Sequence, residues 1–179
     1  MKLSLPGSGE VFELYKMTFG QAEDLIDAIS LDSLDFKTKN ELKQAIINIL
    51  PDVSRKVSRL IFLMFGIPIE KLNCELDELA DVLAEMSLYV LGELSQLKNS
   101  SEKHDEHEGN GNVPLFFMFF DLQLSLCERF TSLTPFYIRE QNLHDVLSIL
   151  KRLNENVRSD KVIDKTDIIR RPAKDDSWY

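Results

Sequence analysis

The sequence predicts a mainly α-helical protein: a short N-terminal β-hairpin plus a helical domain, then a small second helical unit and an extended C-terminal tail. Three observations predict it. Apolar residues recur at helical spacing through most of the chain. Only 7 Gly and 6 Pro occur in 179 residues, too few for a turn-rich all-β fold. A polar run, KNSSEKHDEHEGNGNV from Lys98 to Val113, separates an acidic first half with 9 basic and 16 acidic residues from a balanced remainder with 10 of each. Such a run buries too little apolar surface to offset the entropy of ordering it, so it reads as a flexible linker. The expected units are 1–97, the linker 98–113, a helical unit 114–154 and a tail 155–179.

Taken in order, Lys2 to Leu5 and Val11 to Lys16 alternate around Pro6-Gly7-Ser8-Gly9, a hairpin pattern. Thr18 with Gln21 forms a capping box, and Phe19, Ala22, Ile26 and Ile29 follow at helical spacing. Leu42, Ala45, Ile46 and Ile49 mark a second helix expected to stop at Pro51, because proline lacks an amide proton and disfavours helix before it. A third, with Val53, Val57, Leu60, Ile61 and Met64, ends at Gly66 before Pro68. After a turn at Ile69 to Leu72, the stripe Leu76, Leu79, Leu83, Met86 and Val90 predicts a fourth helix to about Leu97.

Beyond the linker, Pro114 suits a first helical position, and Leu115 to Phe130 is apolar on nearly all sides. Thr134-Pro135 opens a single turn, and Asn142 caps a helix carrying Leu143, Val146, Leu147, Leu150 and Leu153. After Asn154 the periodicity fades, so the remainder is expected to be extended. A weak internal echo sets Leu76, Leu79 and Leu83 after Pro68 at the same offsets as Leu143, Val146 and Leu150 after Pro135.

Composition also excludes functions. A net charge of -9 opposes adhesion to a polyanion, so nucleic acid is not an expected partner. The apolar runs are short of membrane-spanning length, and the first ten residues lack the apolar core of a secretion signal. Cys74 and Cys127 have no neighbours at disulfide or zinc spacing, and Cys127, inside an apolar helix, is expected to be an inert structural thiol. His104 and His107 lie in the linker without the HExxH spacing, and His144 stands alone, so no metal is expected. Gly7-Ser8-Gly9 is too short for a phosphate loop, no GxSxG is present, and Asp77, Glu78, Asp81 and Glu85 form a solvated acidic face. No catalytic set and no cofactor are therefore expected. Binding is favoured instead: Phe116, Phe117, Phe119 and Phe120 surround a whole helical turn, and Trp178 and Tyr179 close a polar segment as docking anchors.

The stretches GIPIEKLNCELDELADVL (Gly66 to Leu83), RFTSLTPFYIREQNLHDVLSILKRLN (Arg129 to Asn154) and RRPAKDDSWY, with the hairpin and mid-chain linker, give the chain a layout that resembles the tail assembly chaperones of long-tailed bacteriophages. The resemblance implies a non-enzymatic role in the host cytoplasm. Such a protein keeps the tape measure protein soluble, recruits the major tail tube protein and leaves before the virion is complete. It also implies an extension made by ribosomal frameshifting, decoded near Lys98 to Val113, and is compatible with self-association. The alternative from another class is a small acidic helical adaptor or regulatory protein that binds one protein partner.

Overall fold

The computed structural model describes residues 1–30, 38–101 and 115–167, and the side chains within them except at 98–101, 116 and 156–167. The chain is mainly helical, with a two-stranded antiparallel hairpin at its start. Strands β1 (Lys2–Ser4) and β2 (Val11–Glu13) pair with Leu3 opposite Phe12. Glycine is required at the tip: Gly7 has φ 73°, and a Cβ there would lie 2.4 Å from the Asn73 carbonyl oxygen. The hairpin thus rests on the turn that precedes the third helix.

Helix α1 (Phe19–Ala28) starts at the expected capping box, with the Gln21 amide donating to Thr18 Oγ1 at 3.2 Å and the Thr18 amide to Gln21 Oε1 at 2.9 Å. It is short but central, and touches all five other helices. Its buried residues include Phe19, Ala22, Leu25 and Ile26.

Helix α2 runs unbroken from Lys39 to Phe65, capped by Thr38 and closed by Gly66 at φ 72°. The expected stop at Pro51 is corrected here: one helix replaces two. An internal proline costs about 3 kcal/mol. Leu42, Ile46 and Leu50 before it and Val57, Leu60 and Ile61 after it are buried on one face. At about 1.5 to 3 kcal/mol for each buried aliphatic side chain, continuity outweighs the defect, and Pro51 itself is exposed.

A turn at Ile69–Lys71 leads to α3 (Leu76–Ser101), which packs between α2 and α6. Leu79, Leu83, Met86 and Val90 are buried as expected, whereas Leu76 is 51% exposed. The internal echo fails at this position, since Leu143 at the equivalent offset is fully buried. The acidic residues of α3 are partly engaged: Lys39 Nζ lies 2.7 Å from Glu85 Oε2 and 3.1 Å from Asp81 Oδ2, and Lys43 Nζ 2.7 Å from Asp77 Oδ2. These pairs, Glu85 foremost, raise the Lys39 pKa. Surface pairs of this kind contribute about 0 to 1 kcal/mol each, so apolar contact dominates the α2–α3 seam.

Helices α4 (Leu115–Arg129), α5 (Pro135–Glu140) and α6 (Leu143–Asp167) complete the fold. Buried residues from Leu5 to Leu150, on both sides of the expected linker, form one continuous cluster. The segments before α1 and α6 are stitched together, with the Phe19 amide donating to the Gln141 carbonyl at 2.8 Å and the Leu143 amide to the Met17 carbonyl at 2.9 Å. Leu115, Phe119 and Ile138 are buried in the common core, where α1 packs against both α4 and α5.

Two boundaries also move. Lys98 to Ser101, expected in the linker, continue α3, while residues 102–113 lie outside the described residues. Helix α6 reaches Asp167, where an extended segment was expected from Glu155. No Gly or Pro interrupts 143–167, and extending an existing helix avoids the cost of nucleating one.

Candidate protein-docking surface

A groove forms where α4 ends and the chain turns twice to enter α6. Phe130 donates its amide to the Leu126 carbonyl at 2.9 Å, and Leu133 to the Phe130 carbonyl at 2.9 Å, which closes the first turn. Thr134 Oγ1 accepts from the Tyr137 amide at 3.3 Å with Pro135 as first helical residue, so α5 starts as expected. Asn142 then caps α6 through Oδ1, which accepts from the Asp145 amide at 3.4 Å, while its Nδ2 donates to the Tyr15 carbonyl at 2.6 Å.

The short α5 cannot cover both long neighbours. What remains is an apolar groove of about 320 Å³, with Leu126, Ile138 and Val146 as its floor and Phe130, Tyr137 and Ile149 on its rim. Ser132, Gln141 and Asp145 supply its polar atoms. Beside it, Phe136 is 82% exposed. A concave apolar surface with few polar groups suits an inserted side chain.

Of the aromatic residues expected to dock partners, Phe117 and Phe120 are 54% and 51% exposed and share an outer face of α4 with Leu124. Phe119 is corrected to the core: it is fully buried, with its ring edge-on to Phe19 at 5.0 Å between centroids. The side chain of Phe116 and residues Trp178 and Tyr179 lie outside the described residues. The sequence reading missed Phe130, Phe136, Tyr137 and Ile149. Their signal was an apolar residue on each side of the Thr134-Pro135 cap, off the stripe of α6.

Apart from the groove, Glu23 of α1 sits in a polar node. Its Oε2 accepts from Gln123 Nε2 of α4 at 2.9 Å and pairs with Arg139 Nη1 of α5, while Arg139 Nη2 reaches Asp24 Oδ1 at 2.7 Å. Its side chain is only 9% exposed, and burial raises its pKa against the opposing pull of Arg139 and Gln123. The node ties three helices together, and none of its residues lines the groove. Gly20 permits this contact, because a Cβ there would meet Arg139 Cβ and its carbonyl oxygen at 3.0 Å.

Other chemistry is sparse among the described residues. No group of three or more His, Cys, Asp or Glu is placed to hold a metal. His104 and His107 lie outside the described residues, and His144 Nδ1 is 2.9 Å from Glu93 Oε2. Cys127 is half-buried rather than enclosed, and so is Cys74, whose thiol pKa is raised by burial. A second concavity at the hairpin presents Lys2 and Lys16, both paired with Glu13, whose carboxylate Lys16, Tyr15 and Lys2 hold down at about 2. No helix among the described residues is long and apolar enough to cross a membrane.

No protein-family model matches the chain, and no curated protein or solved structure is detectably similar to it.

Proposed function

We propose that the protein works by holding other proteins and not by catalysis, and that it is a phage tail assembly chaperone acting in the host cytoplasm. The observation that carries the binding reading is the groove between α4, α5 and α6, with exposed Phe130, Tyr137 and Ile149 around an apolar floor. Aromatic and aliphatic side chains left at a concave surface favour insertion of an apolar face from a partner helix. The tail-chaperone reading adds the resemblance of Gly66 to Leu83, Arg129 to Asn154 and RRPAKDDSWY. A charge of -9 keeps a complex of many copies on one long amphipathic partner dispersed. Recruitment of the tube protein belongs to residues 114–179 in this reading, and frameshifting near residues 98–113 accounts for their addition.

Co-expression with the tape measure protein of the encoding phage tests it. The tape measure protein turns from aggregate to a soluble complex holding several copies of this chain, and the tube protein joins only when the groove is intact. A tape measure protein left insoluble, with a single other protein bound at one-to-one stoichiometry, moves the assignment to the adaptor.

A further inference from the structure

We propose that a second copy of this chain occupies the groove, the two copies meeting about a two-fold axis beside Ile149 and each setting its Phe136 into the groove of the other. This deepens the docking reading of the same site and rests on it. The groove takes an aromatic ring that its own chain does not supply. Its apolar floor of Leu126, Ile138 and Val146 lies open at about 320 Å³, room for one large side chain. Phe136, next to the rim residue Tyr137, is 82% exposed and lines no part of its own groove. A knob beside a hole on one surface suits an isologous contact, because two-fold symmetry lets each copy give the one and receive the other.

Charge points to the same occupant. Along α6, Asp145, Ile149 and Arg152 follow at intervals of four and three and are all exposed, so they share one stripe. Neither the Asp145 carboxylate nor the Arg152 guanidinium has an ion-pair partner among the described residues. Two such stripes crossing antiparallel bring Asp145 of each copy against Arg152 of the other, with Ile149 between. A stripe that is its own complement selects a like copy over an unrelated helix. The charge of -9 on each copy opposes the approach, but at about 0.15 M salt it is screened beyond about 8 Å, so local pairs and apolar contact decide. At about 200 Å² for a whole aromatic side chain, Phe130, Phe136 and Tyr137 leave roughly 350 Å² of aromatic surface in water. A standard interface takes about 800 Å² from each partner, so this surface supplies the apolar centre of a small, reversible dimer.

Sedimentation equilibrium of the full chain alone, from about 1 to 200 µM, tests the proposal. A reversible monomer–dimer equilibrium is expected. Phe136→Ala, a truncation at an exposed position, should weaken it about tenfold or more with helical circular dichroism unchanged. Asp145→Arg and Arg152→Asp each set like charges together and should weaken it as much, while the double variant should return to within about threefold of the parent. Ile149→Asp, which places two carboxylates near the axis, takes the place of the charge variants should those lose helix, and should weaken the dimer likewise. A chain that stays monomeric, assembly beyond the dimer, or a dimer unmoved by Phe136→Ala or by folded Ile149→Asp overturns the proposal. So does a folded double variant that associates no better than the single ones. The tape measure protein is absent from these measurements, so a failed co-expression leaves them standing, and a monomeric chain leaves the docking reading to its own test.

Discussion

Phe119 and its neighbours show how far apart adjacent residues fall in consequence. Phe119→Ala removes a fully buried ring that meets Phe19 edge-on, and should destabilise the protein by about 3 to 5 kcal/mol in urea unfolding. Phe120→Ala, at a half-exposed position about 100° round the helix from Phe119, should change stability by about 0.5 kcal/mol. The four phenylalanines between Phe116 and Phe120 were visible in the sequence, but a helix that is apolar all round does not reveal which side is covered, and position in the tertiary core decides it. Glu23 was not legible at all, because its partners lie about a hundred residues away. Arg139→Met should cost about 2 kcal/mol, since it leaves a nearly buried carboxylate with Gln123 alone while Arg139 itself is partly exposed. The pH dependence has a definite sign. Burial raises the folded-state pKa of Glu23, so the folded chain holds that proton more tightly than the unfolded one. Its contribution to stability is therefore greatest below the ordinary carboxylate pKa and declines as pH rises toward the raised value. Glu23→Gln should remove that decline, measured as a flatter stability profile against pH than the parent above about pH 4.3.

At the scale of elements, local signals were reliable where they were chemical. The Thr18 and Gln21 capping box, the Thr134-Pro135 start, the Asn142 cap and the Gly66 stop all place helix boundaries correctly, because each works within a few residues. Pro51 is the exception, since its local penalty was overridden by burial on both sides of it. Pro51→Ala should restore an amide able to bond the Ile47 carbonyl and stabilise the exposed turn. Part of that gain is offset by greater freedom of the unfolded chain, leaving about 1 kcal/mol or more in thermal or urea unfolding. A loss of stability would mean that the proline geometry itself is needed for α2 to follow the core. The extension of α6 to Asp167 escaped detection for the converse reason: charged residues without a breaker keep a helix going without an apolar stripe.

Over the whole molecule, the buried residues on both sides of the change in composition form one cluster. Thr18 and Asn142, Tyr15 and Asn142, and Glu23 and Arg139 join the first thirty residues to α5 and α6. Proteolytic cleavage within 102–114 should therefore give two fragments that stay together on size-exclusion chromatography and separate only in denaturant. Fragments that part in native buffer would restore the two-unit description. Helical class and the hairpin were legible because periodicity and capping recur along the chain. The groove was not, because it is made by the angle at which α5 leaves its neighbours and not by any motif. Docking at that groove is the central claim, and amide hydrogen exchange of the full chain with and without its bound partner tests it most directly. The account predicts new protection in residues 126–149, lost when Ile149→Asp is substituted. Protection confined to the hairpin or to α2, with 126–149 unchanged, would contradict it.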